Sequence, residues 1–238
     1  MEGIATMVAT YPDNFGEYIV QRVLGAGAYT HSTKTAAGAM LGKALTVALT
    51  ENALEFSEQK IEKMGDDELL LALRSSSNKI SSLLAARIWN RDIYKPVYRA
   101  QILPPEERKP QQYEQRRNLL NEKGLFDPGK RSQLEQEFAK RAKISFEDVI
   151  IYVSKSAPGA QRVNRYVETE KGGGKYRDEI YTPHQEIFRD HLALWQMQVF
   201  VHSHLPTEKR DLIADIAQNE FHRSNDIQSP RKQLSLRF

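Results

Sequence analysis

The chain has 238 residues, of which 40% are hydrophobic, and a formal net charge of +3 from 34 basic and 31 acidic residues. This composition suffices for one large folded domain or two small ones, and the near balance of charge gives by itself no reason to expect nucleic-acid binding. The absence of cysteine excludes disulfides, thiolate catalysis and sulfur-based zinc sites, while the lack of a long apolar run or a secretory signal predicts a cytoplasmic protein without membrane contact.

The first hundred residues are predicted to be helical. A helix can begin at Asp13 or Asn14 and reach Leu24, before Gly25-Ala26-Gly27 breaks it with residues that tolerate a left-handed backbone. From residue 32 to about residue 56, small side chains alternate with Met, Leu and Val at helical spacing. We therefore expect a second helix whose small-residue face is buried in close contact with another helix.

Two shorter helices and a charged segment follow. Gly65-Asp66-Asp67-Glu68 provides a stop, a cap and acidic first-turn residues for a helix that reaches Arg74. Ser76-Ser77-Asn78 begins another helix that reaches Trp89. The charged segment from residue 104 to 143 predicts two exposed helices, broken at Asp127-Pro128-Gly129.

The composition then changes to β-branched and aromatic residues. Strands are predicted over residues 149–153, 162–167 and 192–201. The segment from Lys171 to Lys175 has three glycines but lacks the spacing of a phosphate-binding P-loop, so we expect a flexible hairpin loop. A last helix is predicted over residues 207–222, and the residues after Ser224 are predicted to form a frayed basic tail.

In a chain without cysteine, histidines are the main candidates for transition-metal ligands. His202 and His204 would lie on one face of a continued strand, as a pair of metal ligands requires. No third ligand is evident from the sequence, and we therefore predict surface histidines with a structural role. The six histidines are His31, His184, His191, His202, His204 and His222.

The start of the small-residue helix is a second candidate site. Tyr29, Thr30 and His31 precede the helix, with Arg22 and Lys34 beside them. A tyrosine ring can stack on a base or sugar, and basic side chains can contact phosphate. The spacing alone favours a cluster that caps and packs the helix.

Several segments, in order, resemble one known family. Residues 28–44 resemble the helix that follows the catalytic core in HD-domain phosphohydrolases of the deoxynucleoside triphosphate triphosphohydrolase type. Residues 66–70 are similar to the family's acidic-start helix. Residues 91–97 are similar to a family segment with the pattern Arg-x-hydrophobic-aromatic-Lys-x-Val, in which x is any residue. Residues 146–153 and 195–201 resemble two late strands of the family.

The resemblance covers most of residues 15 to 220 and implies a fold. We expect a mostly α protein with a carboxyl-terminal α+β region, in which a helical HD-family scaffold is joined to a small antiparallel sheet. The expected regions are a helical region following the HD core (1–100), a charged helical connection (101–145), an α+β region (146–224) and a basic tail (225–238).

Members of this family hold divalent metal with a His, a His-Asp pair and a distant Asp, and the metal activates water against a phosphoryl group. The chain has no His-Asp dipeptide, and its Asp190-His191 has the reverse order. We therefore expect no catalytic or metal-binding residue on this chain. The Mg²⁺ or Mn²⁺ is expected only in an HD catalytic portion, supplied by a longer parent or by a partner chain.

The resemblance also implies that Tyr29 and Thr30, with His31 beside them, lie against the sugar and base of a nucleotide. The late strands imply contacts within a homo-oligomer. The expected function is the carboxyl-terminal part of an HD-type nucleotide phosphohydrolase that contributes a pocket wall and oligomer contacts. The alternative is a noncatalytic interaction module for assembly or for association with nucleic acid.

Overall fold

The computed structural model describes residues 31–51, 61, 63–103, 110–154, 166–167, 174–175 and 195–227. Its helices are α1 (Ser32–Thr50), α2 (Asp66–Arg74), α3 (Lys79–Trp89), α4 (Pro110–Glu122), α5 (Pro128–Ala142) and α6 (Thr207–Phe221). Its strands are β1 (Lys95–Gln101), β2 (Val149–Val153), β3 (Tyr166–Val167), β4 (Gly174–Lys175) and β5 (Gln196–Val201). The expected fold class, mostly α with a small antiparallel sheet, is confirmed.

Local signals determine where several helices begin. The side chain of Asn78 accepts a hydrogen bond from the backbone N–H of Ser81 at 2.9 Å, at the start of α3. Asp127 accepts one from the N–H of Lys130 at 2.9 Å, at the start of α5, and Pro128 occupies the first turn. Each cap satisfies a backbone donor that the helix itself leaves unpaired. The predicted helix starts at these positions are confirmed.

The main sheet has three antiparallel strands in the order β1-β5-β2. Alternate residues of the central strand face two different cores. Val199 and Val201 belong to one core, with Phe138 of α5 and Ile213 of α6. Phe200 belongs to the other core, whose helical members come from α1, α2 and α3. The sheet therefore lies between two helical layers, and β5 is buried on both faces.

Strand β1 corrects the expectation that the chain is helical up to residue 100. Tyr98 and Ala100 point into the core, while Arg99 is only partly buried, as in a strand with one face inward. The pairing with β5 shifts register between Pro96 and Tyr98. Proline lacks an amide donor and is tolerated here because β1 is an edge strand. This proline and the interspersed polar residues weakened the strand pattern.

The predicted strands are confirmed in part. The segment predicted over residues 149–153 is β2, and β5 covers residues 196–201 of the prediction that began at residue 192. Of the segment predicted over residues 162–167, the described part is β3, which pairs with β4 in antiparallel register. Tyr166 pairs with Lys175 and Val167 with Gly174, so Gly174 and Lys175, which were predicted to belong to the hairpin loop, form a strand instead. At least three strands occur between residues 149 and 201, as predicted.

The burial of α5 and of two glycines in α1 differs from the predictions. Helix α5 was predicted to be exposed, yet Phe138 and Ala142 are fully buried because apolar residues recur at helical spacing among its charges. In α1 the buried stripe consists of Ala36, Met40, Ala44, Val47 and Ala48, which confirms the buried small-residue face. Its two glycines, at positions 38 and 42, lie on the exposed side instead.

A buried ion pair covers the outer edge of β2. Lys43 Nζ lies 3.0 Å from Glu135 Oε2, and both side chains are 5% exposed. Lys43 also donates to the carbonyl oxygens of Phe146 at 2.7 Å and Val149 at 2.8 Å. Glu135 Oε1 accepts from the N–H of Ile151 at 2.8 Å. Burial lowers the pKa of Lys43, and the neighbouring Glu135 carboxylate opposes that effect.

The outer edge of β1 is covered in a comparable way by the residues after α6, and this corrects the expectation of a frayed tail at Asn225 and Asp226. Asn225 accepts from the N–H of Arg99 at 3.2 Å and donates to the carbonyl of Val97 at 2.8 Å. Asp226 accepts from the N–H of Gln101 at 3.2 Å. Both edges of the three-stranded sheet therefore have polar partners, which protects them from pairing with another chain. No helix among the described residues is long and apolar enough to span a membrane.

Replacing Lys43 with methionine should reduce the free energy of unfolding by about 3 to 5 kcal/mol, because Glu135 would be left as an uncompensated buried charge. Urea denaturation measures this change. Adding Glu135→Gln should recover part of the loss, since glutamine is uncharged and can still accept from Ile151. As a control, Arg117→Ala removes the exposed pair with Glu114 and should cost less than about 1 kcal/mol. A double variant less stable than Lys43→Met would contradict this prediction.

The stability of the protein should also fall above about pH 10 through Tyr98. Burial, with a smaller effect from Asp226, raises the pKa of this fully buried tyrosine. The unfolded chain then loses the phenolic proton near pH 10 while the folded chain retains it, so the contribution is present below that pH and lost as the pH rises. In urea denaturation between about pH 8 and about pH 11, wild type should lose stability more steeply than Tyr98→Phe. Identical slopes for the two proteins would refute the assignment.

Candidate functional site

The predicted nucleotide site is described only in part. Arg22, Tyr29 and Thr30 lie outside the described residues. His31 is the N-cap of α1, where its Nδ1 accepts a hydrogen bond from the N–H of Thr33 at 3.3 Å, and its side chain is exposed. Lys34 is exposed in the first turn of the same helix. The described geometry gives His31 a capping role, and its contact with a nucleotide stays a prediction.

A different group of residues meets at one end of the main sheet. Asp92 lies in the connection before β1, and His202 and His204 follow β5. Because Lys95 at the start of β1 faces Val201 at the end of β5, the segments flanking these two strands are neighbours. One ligand atom from each of Asp92, His202 and His204 lies within 4.8 Å of the other two. We refer to these three residues as the sheet-end cluster.

The contacts within the sheet-end cluster are specific. Asp92 Oδ2 lies 2.8 Å from His202 Nε2, a hydrogen-bonded pair. Ser203 Oγ is 3.3 Å from Asp92 Oδ1 and donates to it. The rings of His202 and His204 meet edge to face, with centroids 4.8 Å apart. The His202 side chain is 11% exposed and that of Asp92 is 31% exposed, while His204 lies at the surface.

A second polar layer lies behind His202. Asp148 Oδ1 is 3.9 Å from His202 Nδ1, and Arg87 Nη1 lies 3.1 Å from the same carboxylate oxygen. The Tyr94 hydroxyl donates to the carbonyl of Glu147 at 2.7 Å and accepts from Arg87. The backbone N–H of His202 donates to the carbonyl of Asp148 at 3.1 Å. This layer fixes the ring of His202 against the residues that precede β2.

The electrostatics of the cluster favour an ionised carboxylate. Partial burial acts to raise the pKa of Asp92, but hydrogen bonds from His202 and Ser203 and the nearby histidines outweigh it, so the pKa is lowered. Burial raises the pKa of Tyr94, against the opposing charge of Arg87, so its hydroxyl stays a neutral donor. Two imidazoles and a carboxylate in this arrangement can exchange a proton or coordinate a cation.

This cluster corrects the prediction from sequence in two respects. His202 is largely buried rather than at the surface, and a carboxylate does stand opposite the two histidines. Asp92 and His202 are 110 positions apart in the sequence, and β1, which brings them together, was not predicted. The spacing of His202 and His204 was the one available signal. Recognising that residues 95–101 pair with β5 would have supplied the third residue.

A shallow groove of about 280 Å³ lies elsewhere, beside α1. It is lined by the exposed glycines of α1 at positions 38 and 42, by Arg131 of α5 and by residues of β2 such as Tyr152. The Lys43 and Glu135 side chains form part of its wall, but they are already paired with each other. The groove therefore offers no charged group of that pair to a ligand.

Comparison with known proteins gives one match. A family model described as "HD associated region" matches residues 18–228. The matched segment includes every element described above, the sheet-end cluster, and all five residues predicted to contact a nucleotide or its phosphates. No curated protein and no solved structure matches the chain.

Proposed function

This chain belongs to the family of HD-associated regions, and from that membership we propose that it is the carboxyl-terminal part of an HD-type nucleotide phosphohydrolase of the deoxynucleoside triphosphate triphosphohydrolase type. The observation behind the proposal is that the family model matches residues 18–228 of a chain with no His-Asp dipeptide. A chain of this kind needs an HD catalytic portion from the same parent or from a partner. In that portion Mg²⁺ or Mn²⁺ would activate water against a phosphoryl group.

The start of α1 is the part of this chain that we propose as a wall of the nucleotide pocket. Tyr29, Thr30 and His31 would lie against the sugar and base, with Arg22 and Lys34 near the phosphates. Two features of α1 support an anionic neighbour. Its 19 residues give a full helix dipole, and its first turn contains no acidic side chain.

Assembly with an HD portion or with further copies would need a contact surface. Helices α2 and α3 expose three large apolar side chains: Leu71 is 57% exposed, Leu83 37% and Trp89 50%. Apolar side chains of this size at the surface are typical of contact regions when they occur together. The guanidinium of Arg74 lies 4.8 Å from the centroid of the Trp89 ring and holds that ring in place. We propose the surface around Arg74 and Trp89, with Leu71 one helical turn before Arg74, as part of an oligomer contact.

The isolated chain should release no product from a deoxynucleoside triphosphate in the presence of Mg²⁺ or Mn²⁺. It lacks the His, His-Asp and Asp set that would lower the pKa of a metal-bound water. Product formation is measured with the purified chain, alone and after addition of the HD portion, against a buffer control. Turnover by the chain alone would overturn the proposal, and nucleic-acid binding without any effect on the HD portion would favour the noncatalytic interaction module.

Tyr29→Ala should weaken nucleotide binding by about 1 to 3 kcal/mol in a complex restored with the HD portion, the usual contribution of an aromatic ring stacked on a base. The melting temperature should be nearly unchanged. Nucleotide titration and thermal melting of the same variant measure the two quantities. Tyr113→Ala is a matched control, because Tyr113 packs on Trp195 and should affect melting but not affinity. A large loss of melting temperature with unchanged affinity would reject the pocket-wall assignment of Tyr29.

A further inference from the structure

We propose that the sheet-end cluster of Asp92, His202 and His204 binds one divalent transition-metal ion of the zinc class, with at least one coordination position left to water. This site is separate from the metal of an HD catalytic portion, because all three ligands belong to this chain. It departs from the expectation from sequence that no metal-binding residue is present, which was based on the absence of a His-Asp dipeptide and of an evident third ligand for His202 and His204.

The geometry of the cluster is close to that of a bound ion. Metal–ligand bonds of about 2.0–2.2 Å in a tetrahedral site place the ligand atoms roughly 3.5 Å apart. The corresponding atoms of the cluster already lie within 4.8 Å of one another. Asp92 and His202, now 2.8 Å apart, would open slightly, and His204 would move inward. His204 is exposed in the turn after β5, so its side chain can rotate without displacing the core.

The type of ligand determines the type of ion. Two imidazoles and one carboxylate are a common set for Zn²⁺, which in open sites keeps three protein ligands and a water. Mg²⁺ prefers six oxygen ligands and would bind poorly to two imidazoles. The two carboxylates at this end of the sheet, Asp92 and Asp148, also offset the charge of a divalent cation, and Arg87 opposes them by a single charge.

The residues behind His202 match the surroundings of a metal ligand. A histidine that binds metal through one ring nitrogen usually faces a carboxylate or carbonyl with the other, which fixes the tautomer and the ring. Here Nε2 points to Asp92, and Asp148 is 3.9 Å from Nδ1 on the far side of the ring. Arg87 holds Asp148 in that position. A modest approach of Asp148 would complete the usual carboxylate–histidine–metal arrangement.

A bound ion would join the connection before β1 to the turn after β5. These two segments are now linked by the hydrogen bonds of Asp92 with His202 and Ser203. Because an ion that binds only the folded state stabilises it by mass action, the melting temperature should rise with the concentration of Zn²⁺. An Asp92–His202 pair without a metal function would give no such dependence.

The test uses the full chain without a histidine tag, stripped of metal with a chelator. Zn²⁺ is titrated by calorimetry, and Co²⁺ is titrated by visible absorption, which reports a tetrahedral site. We expect one ion per chain, a tetrahedral Co²⁺ spectrum that Zn²⁺ abolishes, and no competition from excess Mg²⁺. Absence of saturable binding at one ion per chain would overturn the proposal. No nucleotide or HD portion is involved, so this result is independent of the proposed phosphohydrolase function.

Substitutions of single histidines test whether the ion binds at the sheet-end cluster. His204→Ala removes an exposed ligand and should weaken Zn²⁺ binding by at least about 10- to 100-fold, because even the loss of a residue that only supports a ligand typically costs this much. The melting temperature of the metal-free protein should be unchanged, since His204 lies at the surface. His222→Asn is the matched control, since its left-handed backbone at φ 51° tolerates asparagine. It follows the carboxyl end of α6, a helix of 15 residues that is about 22 Å long and begins just after the cluster, so this variant should bind the ion normally. Equal affinity in wild type and His204→Ala would refute the site.

Discussion

The buried pair of Lys43 and Glu135 is the interaction on which the arrangement of the layers depends. Lys43 belongs to α1 on one face of the sheet, and Glu135 belongs to α5 on the other. Between them they satisfy the outward carbonyl of Val149 and the outward N–H of Ile151, two of the groups that an antiparallel edge strand leaves without a ladder partner. Desolvating two charges is expensive, so the pair is sustained by these additional hydrogen bonds to the strand edge.

Covering both strand edges has a consequence for the end of the sheet. Lys43 and Glu135 bond the outer edge of β2, and Asn225 and Asp226 bond the outer edge of β1, so side chains from other elements hold both edge strands in register. A slip of one residue in β5 would exchange its two buried faces and separate His202 from Asp92. The geometry of the sheet-end cluster therefore depends on the pairing of the strands and not on a local sequence motif.

Local chemistry made part of this structure predictable from sequence. Asn78 and Asp127 predict where α3 and α5 begin, because a capping residue and its helix are adjacent in the chain. The partners of Lys43 and of Asp92 are not adjacent: Glu135 follows Lys43 by almost a hundred residues, and His202 follows Asp92 by 110. Such pairs require knowledge of strand order. Since β1 contains a proline and polar residues, periodicity did not reveal that order.

The two proposed functions use different parts of the same scaffold. The start of α1, proposed as a nucleotide-pocket wall, is anchored to the sheet through Met40 and Ala44 in the helical core and through Lys43 at the edge of β2. The sheet-end cluster depends instead on the pairing of β1 with β5. Loss of an ion at the cluster would leave the anchors of α1 intact, and a substitution in the first turn of α1 would leave the β1–β5 register intact. Tyr94, in the connection just before β1, links these two parts, because its ring contacts that of His202 and belongs to the same core as Met40.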